Sequence, residues 1–413
     1  MTTVPARCED HSRYPEVRAV PGRWTPGRWF AMLALVLVGG LAAPSGAHAQ
    51  SLLNAGGLGL LNDPLDARAR ALGSVGVGLE GWYMLGTDPS AAAGLNLPSV
   101  TGTFQPSTSR IEGGAQAGGT RFPMLGVSYP FGRHVFTIQL GSFLDQEWEV
   151  RADRTLDVSG EDVEAVDRFE SVGGIGQARL GWATRLREDL AVGVNVGSYT
   201  GAMERRFIRQ LDPDAVGFGV EPFLNQGRWR ASGLTIAAGA TWQPSSIVRV
   251  AASVEHAGDL TLDPVAPTPG AEKSYPMPLT VRAGGTVVLA SDLRLSSGFS
   301  RADWSGVDEA LGGDAARDVA WGYGAGVEWM GSTLLGRTAP IRLGYRQQDL
   351  PFHFQGEPAT ESAFSGGLSV NLADTETMPV ARIEYSLERG TRDAGIFSEE
   401  YWRSTLSIRL AGG

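Results

Sequence analysis

Cysteine is almost missing from this chain: its 413 residues contain one, Cys8. That excludes an internal disulfide and any metal site built on cysteine. Lysine is almost missing too. Lys273 stands alone, and the rest of the positive charge is arginine. The five histidines, His11, His48, His134, His256 and His353, are too scattered to suggest a metal cluster. The formal net charge is -10, with no basic block, so nucleic acid is not an expected partner. No apolar run reaches the roughly 18 to 20 residues that a membrane-spanning helix needs. A mean hydropathy of -0.09 suits a soluble protein. It equally suits a barrel in lipid, whose lumen-facing polar residues dilute the average. What the chain has in excess is glycine, 56 residues, about double the usual share of roughly 7%.

The N-terminus reads as an export signal. Arg23 and Arg28 precede the apolar stretch FAMLALVLVGGLAA, and Ala47-His48-Ala49 has the small-x-small form that a signal peptidase cuts. Residues 1–49 are therefore expected to be a signal peptide, cleaved near Ala49. Residues 50–97 are rich in Gly, Ala and Leu. From Pro98 onward, segments of alternating polarity are separated by Gly, Pro, Asp and Ser clusters, the pattern of strands and turns.

Fourteen such segments are expected, the first near 98–105 and the last near 400–411. Short connections such as PFGR, LRED, QPSS and ASD alternate with long ones at 106–118, 151–164, 205–227, 258–276, 304–317, 349–360 and 390–399. Short turns on one side and long loops on the other are the habit of outer-membrane barrels, the short turns being periplasmic.

The two faces of each segment differ. In YWRSTLSIRL, Trp402, Ser404, Leu406, Ile408 and Leu410 lie on one side, and Arg403, Thr405, Ser407 and Arg409 on the other. In VAWGYGAGVEW one face is Trp321, Tyr323, Ala325, Val327 and Trp329; the other is glycine and Glu328. Apolar faces carrying Trp182, Trp242, Trp321, Trp329, Tyr345, Tyr385 and Trp402 fit aromatic girdles at lipid headgroups. Fourteen strands exceed the roughly ten that an open twisted sheet tolerates, and closure removes edges that hydrocarbon cannot hydrogen-bond. The expected fold is all-β, a closed antiparallel transmembrane barrel spanning 98–413 in the outer membrane.

The expected lumen face carries Arg179, Arg185, Arg249, Arg282, Arg294, Arg342, Arg346, Arg382, Arg403 and Arg409, with Glu255, Glu328, Glu384 and Glu388. Arginine suits a partly desolvated space because its fork pairs carboxylates bidentately. Two readings follow: a charged solute path, or a cross-strand Arg–Glu ladder that stiffens the wall and holds a plug.

Other motifs carry less. GVGLEG, Gly76 to Gly81, fits a dinucleotide pattern but no βαβ unit follows, so no cofactor is expected. No serine stands in a nucleophile motif beside a histidine, so the chain does not read as an enzyme. Asp153, Asp157, Glu161, Asp162, Glu164, Asp167 and Glu170 read as a solvated acidic loop. Their spacing is not that of an EF-hand, and no metal site is expected.

The stretch ARALGSVGVGLEGWYMLGTDPSAAAGLNLPS resembles the N-terminal signature of the FadL-like superfamily of outer-membrane barrels, and more narrowly its PorV/PorQ-type branch. Arg70-Ala71-Leu72-Gly73 match the signature's first half. Asp88-Pro89-Ser90 and Ala93-Gly94-Leu95 look like a split version of its Asn-Pro-Ala-Gly-Leu half. The tail is similar to that branch through Glu384-Tyr385, Arg389-Gly390 and Glu400-Tyr401-Trp402-Arg403, but closes on LAGG without a terminal aromatic. The resemblance implies that 50–97 is a plug or hatch in the lumen, carrying Arg70, Gly73, Asp88, Pro89 and Gly94. It implies passage of small hydrophobic solutes by a hatch-gated route. The alternatives are a PorV/PorQ-like barrel serving type IX protein secretion or surface attachment, and a structural barrel without transport. Expected partners are outer-membrane lipid and lipopolysaccharide, with a small hydrophobic ligand, or secretion machinery and an exported protein, according to the reading.

Overall fold

A computed structural model of the chain describes residues 53, 58–81, 83–111, 116–158, 160–212, 221–311, 316–334, 336–354, 356–374, 379–395 and 397–412. The expected signal peptide and Cys8 lie outside the described residues.

The wall has fourteen positions. They are β1 (Ser99–Ile111), β2 (Gln116–Phe131), β3 (His134–Asp145, continued by Trp148–Val158), β4 (Glu161–Arg187) and β5 (Leu190–Leu211). Next come β6 (Phe223–Ser232 and Leu234–Ser245), β7 (Val248–Ala257 and Asp259–Pro264), β8 (Lys273–Pro276 and Thr280–Ala290) and β9 (Leu293–Asp303). The circuit continues through β10 (Val319–Trp329), β11 (Ile341–Phe354), β12 (Glu357–Asp374), β13 (Pro379–Ala394) and β14 (Phe397–Ala411). Each is antiparallel to the next. β14 closes on β1 from Ser99 opposite Ala411 to Ile111 opposite Glu399.

Alternation sorts the side chains between two surroundings. On β14, Arg403, Thr405 and Ser407 are buried while Trp402 is exposed. Around the outside, Leu180, Leu343 and Phe364 are 64%, 67% and 71% exposed. So continuous an apolar exterior is stable only against an apolar solvent. Trp242 and Trp329 sit at the short-turn end, and their indole N–H groups donate to the turn carboxylates Asp189 (3.0 Å) and Asp292 (2.9 Å). Trp321 and Trp402 mark the opposite end. An indole has an apolar body and one polar edge, which suits it to both borders of a bilayer.

The long connections differ from expectation. Much of 148–164, 205–227 and 258–276 is strand, because β3–β4, β5–β6 and β7–β8 run on as hairpins past the apolar band. The acidic stretch belongs to one of these hairpins. Asp167 pairs with Arg209 at 2.6 Å, and Glu149 with Arg151 and Arg168 at 2.7 and 3.0 Å. On the β3–β4 extension cross-strand charge pairs join the apolar alternation, while Val163 and Ala165 stay buried.

The N-terminal segment fills the lumen. Leu60–Leu61 pairs with β3 near its upper end. The chain then descends through helix α1 (Ala67–Ala71) and a 3-10 turn (Pro89–Gly94) to β1. Asp66 caps α1 by accepting from Ala69 N at 2.8 Å. Hydroxyls of the wall bond the plug backbone. Ser407 accepts from Ala67 N (2.8 Å), Ser365 donates to Ala71 O (3.0 Å), Thr286 to Gly78 O (3.0 Å) and Ser253 to Thr87 O (2.7 Å). These account for backbone groups that a plug without its own sheet would leave unpaired. Inward glycines make room for it. Gly73 has φ +74°, and a Cβ on Gly324 or Gly344 would run into its backbone.

Candidate functional site

The interior has three layers. The uppermost is apolar. Leu144, Ile175, Tyr199, Met203, Leu260 and Leu262 are buried together with Met277, Trp304 and Val307, the last from helix α2 (Ser305–Leu311). Phe143 packs its ring 4.9 Å from that of Tyr199. Leu260, Leu262 and Met277 come from the stretch LTLDPVAPTPGAEKSYPMP. A smaller apolar cluster packs Leu53 and Leu60 of the N-terminal segment with Leu350, Phe352, Ala359 and Ala394 of β11–β13.

Below this lies a charged layer. Glu361 accepts from Arg392 Nε (2.6 Å) and from the Tyr401 hydroxyl (3.0 Å), and pairs with Arg346. Glu388 accepts from Arg346 Nε (3.1 Å) and approaches Arg403 (3.6 Å). Across the lumen, Glu255 is shared by Arg179 (2.7 Å) and Arg282 (3.1 Å).

The lowest layer ties plug to wall. Arg68 of α1 makes a bidentate pair with Glu328 of β10, at 2.9 and 2.7 Å. Arg342 Nε donates to the same carboxylate at 2.7 Å. The Arg68 guanidinium stacks 4.3 Å from the Tyr83 ring. The Tyr83 hydroxyl bonds Glu384 (3.4 Å) and accepts from Arg382. Further ties are Arg294 to Glu80 (3.0 Å), Arg249 to Leu79 O (3.3 Å) and Arg179 to Gly86 O (2.9 Å). Arg409 is half-buried and forms no ion pair among the described residues. Arg185 shares the face of buried Arg179 and Ala183 and is exposed at the short-turn end of β4.

Of the plug signature, Arg70 is buried and bonds Asn62 Oδ1 and Asp63 O at 3.2 and 3.0 Å. Asp88 caps the Pro89–Gly94 turn, its Oδ1 accepting from Ser90 N (3.1 Å) and its Oδ2 from Gly78 N (3.3 Å). Asp88 therefore holds two distant parts of the plug together, and the split spelling of the signature still gives a capped turn. Arg68 and Tyr83 escaped the sequence reading, although Tyr83 lies in the quoted signature stretch and Arg68 immediately precedes it. Their spacing gives no sign that they meet.

Among the described residues the wall has a seam between β2 and β3. β2 and β3 are hydrogen-bonded from Phe131–His134 only as far as Leu125–Leu140. Above that, β2 continues to Gln116 beside β1, while β3 bends inward. Pro123 lacks an N–H and stands where the ladder stops. A register shift lies between Ser142 and Leu144, and both Leu144 and Asp145 are buried. The freed edge of β3 is taken by the plug: Leu60 pairs with Asp145, Leu61 with Leu144, and Asn62 N donates to Phe143 O at 2.8 Å. A cavity of ≈ 10 Å³ sits behind the seam, lined by Pro64, Met124, Leu140, Gly141 and Arg179 among others.

No family model and no curated protein sequence matches this chain. Solved structures do. The Ralstonia pickettii toluene transporter TbuX is 15% identical with a TM-score of 0.56, over 84% of this chain and 98% of that one. A Pseudomonas aeruginosa FadL homologue is 12% identical with a TM-score of 0.56, over 85% and 99%. The Pseudomonas putida toluene transporter TodX is 12% identical with a TM-score of 0.52, over 86% and 98%. The chain shares their barrel fold. The narrower PorV/PorQ-type likeness rests on the sequence motifs alone.

Proposed function

We propose that this chain is an outer-membrane barrel that passes small hydrophobic solutes from the long-hairpin mouth into the bilayer through the β2–β3 seam, with the plug as gate. The unzipped seam, occupied by a plug segment, carries this reading. The apolar mouth cluster offers a solute somewhere to leave water. The charged layer beneath disfavours an axial path for an apolar molecule, since the arginine–carboxylate network would have to part. A sideways exit leads instead to hydrocarbon. The fold shared with two toluene transporters is consistent with this and motivates the choice of probe. The lumen arginines then act as ties that hold plug and wall rather than as a charged path. Bilayer lipid covers the apolar band, and lipopolysaccharide adjoins the long-hairpin rim.

A disulfide tests the gate. Leu61 and Leu144 lie directly opposite each other. Because Asn62 N bonds Phe143 O, they form the adjacent non-hydrogen-bonded pair, whose close Cα spacing suits a disulfide. Leu61→Cys/Leu144→Cys in proteoliposomes is expected to take up toluene slowly when oxidised and at the native rate when reduced. Native uptake by the oxidised protein would refute hatch gating, and no uptake by the native chain would refute transport of this class.

A further inference from the structure

A second cavity, of ≈ 20 Å³, lies above α1 and is ringed by five arginines: Arg70 from the plug and Arg121, Arg346, Arg392 and Arg403 from the wall. Four carboxylates answer them. Asp145 pairs with Arg121, Glu399 with Arg392, Glu388 with Arg346 and Arg403, and Glu361 with Arg346, Arg392 and Arg403. Asp63 also borders the cavity, but it is half-exposed and lies 3.5 Å from Arg282. It belongs with Glu255, Arg179 and Arg282, a set already balanced. Arg70 is the cation left over.

Arg70 is 3% exposed and meets no carboxylate of the described residues within ion-pair distance. It donates only to neutral acceptors: Asn62 Oδ1 (3.2 Å), Asp63 O (3.0 Å) and Ser74 Oγ (3.4 Å). Among the described residues its buried Nε has no hydrogen-bond partner, and neither has that of Arg403. A buried cation without a counter-charge is strongly disfavoured, and arginine cannot relieve this by losing its proton. Water can supply an acceptor but not the missing charge. The space admits roughly one or two water-sized spheres, enough for a halide.

We propose that this cavity binds a single small inorganic anion, chloride being the common one, and that the anion bridges plug Arg70 to the wall arginines and pins the plug. The proposal is independent of the solute reading, no step of which uses the anion.

The test uses purified full-length protein in detergent at fixed ionic strength, with chloride, bromide or gluconate as the anion. Gluconate is too large to enter. The expected result is an unfolding midpoint that rises with halide concentration, as it must when a ligand binds only the folded state, and that rises no further in Arg70→Gln. Crystals of the unaltered protein grown in bromide are expected to give an anomalous peak beside Arg70, a readout that does not depend on the variant folding. No peak at saturating bromide overturns the site. A peak with identical native midpoints in halide and gluconate overturns the pinning role.

Discussion

Arg121 on β2 reaches across the unzipped seam to Asp145 on β3, its Nε 2.7 Å from Oδ2. Both side chains are buried. Where backbone hydrogen bonds stop joining these strands, one ion pair spans them. Asp145→Asn leaves a buried guanidinium without its charge partner, a loss of about 3–5 kcal/mol for pairs of this kind. Amide exchange at residues 60–62 and 143–145 is expected to quicken, with β12 and β13 unchanged. Uniform quickening around the barrel would show that the pair supports the whole wall and not the seam.

Glu328 is the hub of the lowest layer. Glu328→Gln strips the carboxylate from both Arg68 and Arg342, which are 2% and 1% exposed. A cost of at least about 3–5 kcal/mol is expected, with the plug loosening before the wall. Single-channel recordings in planar bilayers check this: the variant should flicker open where the native protein is closed. Arg68→Met combined with Glu328→Gln should be milder than the two single losses summed, because the residues interact directly.

Gly344 faces the backbone of Gly73 and has no space for a Cβ. Gly344→Val should expel α1 from its seat while the barrel persists. Limited proteolysis is expected to cut the plug between residues 66 and 80, with the wall fragment intact. Gly366→Ala is the control: its Cβ would meet Leu343 Cδ2 at 3.6 Å and Arg342 O at 3.8 Å, both ordinary contacts. Equal effects from the two would refute the packing account.

Asp167 and Arg209 set an acid limit on the hairpin above the apolar band. The hydrogen-bonded Arg209 guanidinium holds the Asp167 carboxyl below its ordinary value of 3.8. A depressed value in the folded state means the stabilisation is complete above 3.8 and fades as pH falls through the folded value. Amide exchange in 163–169 and 205–211, corrected for intrinsic rates, should rise between pH 5 and pH 3. Asp167→Asn should show the raised exchange already at pH 5.

Fold and site were unequally legible in the sequence. The wall could be read because lipid enforces strict alternation: Trp402 out and Arg403 in, Val281 out and Arg282 in. The hairpin extensions could not. Residues such as Glu204, Arg205 and Arg206 meet water on both sides, and their strands are held by neighbours instead of a two-sided partition. The seam was hidden as well. Pro123 and Gly141 look like ordinary interruptions until β3 is seen to take Leu60–Leu61 in place of β2. The glycine rows were visible as composition, yet their cause, the plug backbone lying against them, is a contact across some 270 residues.

That cause bears on reading other barrels of this shape. At Gly193, Gly324 and Gly344 the requirement for hydrogen in place of a side chain comes from the occupant and not from the cylinder. A homologue that had shed its stopper would be released from this demand, and bulky residues would drift into those slots. Three letters of aligned sequence would then tell a corked vessel from an empty one.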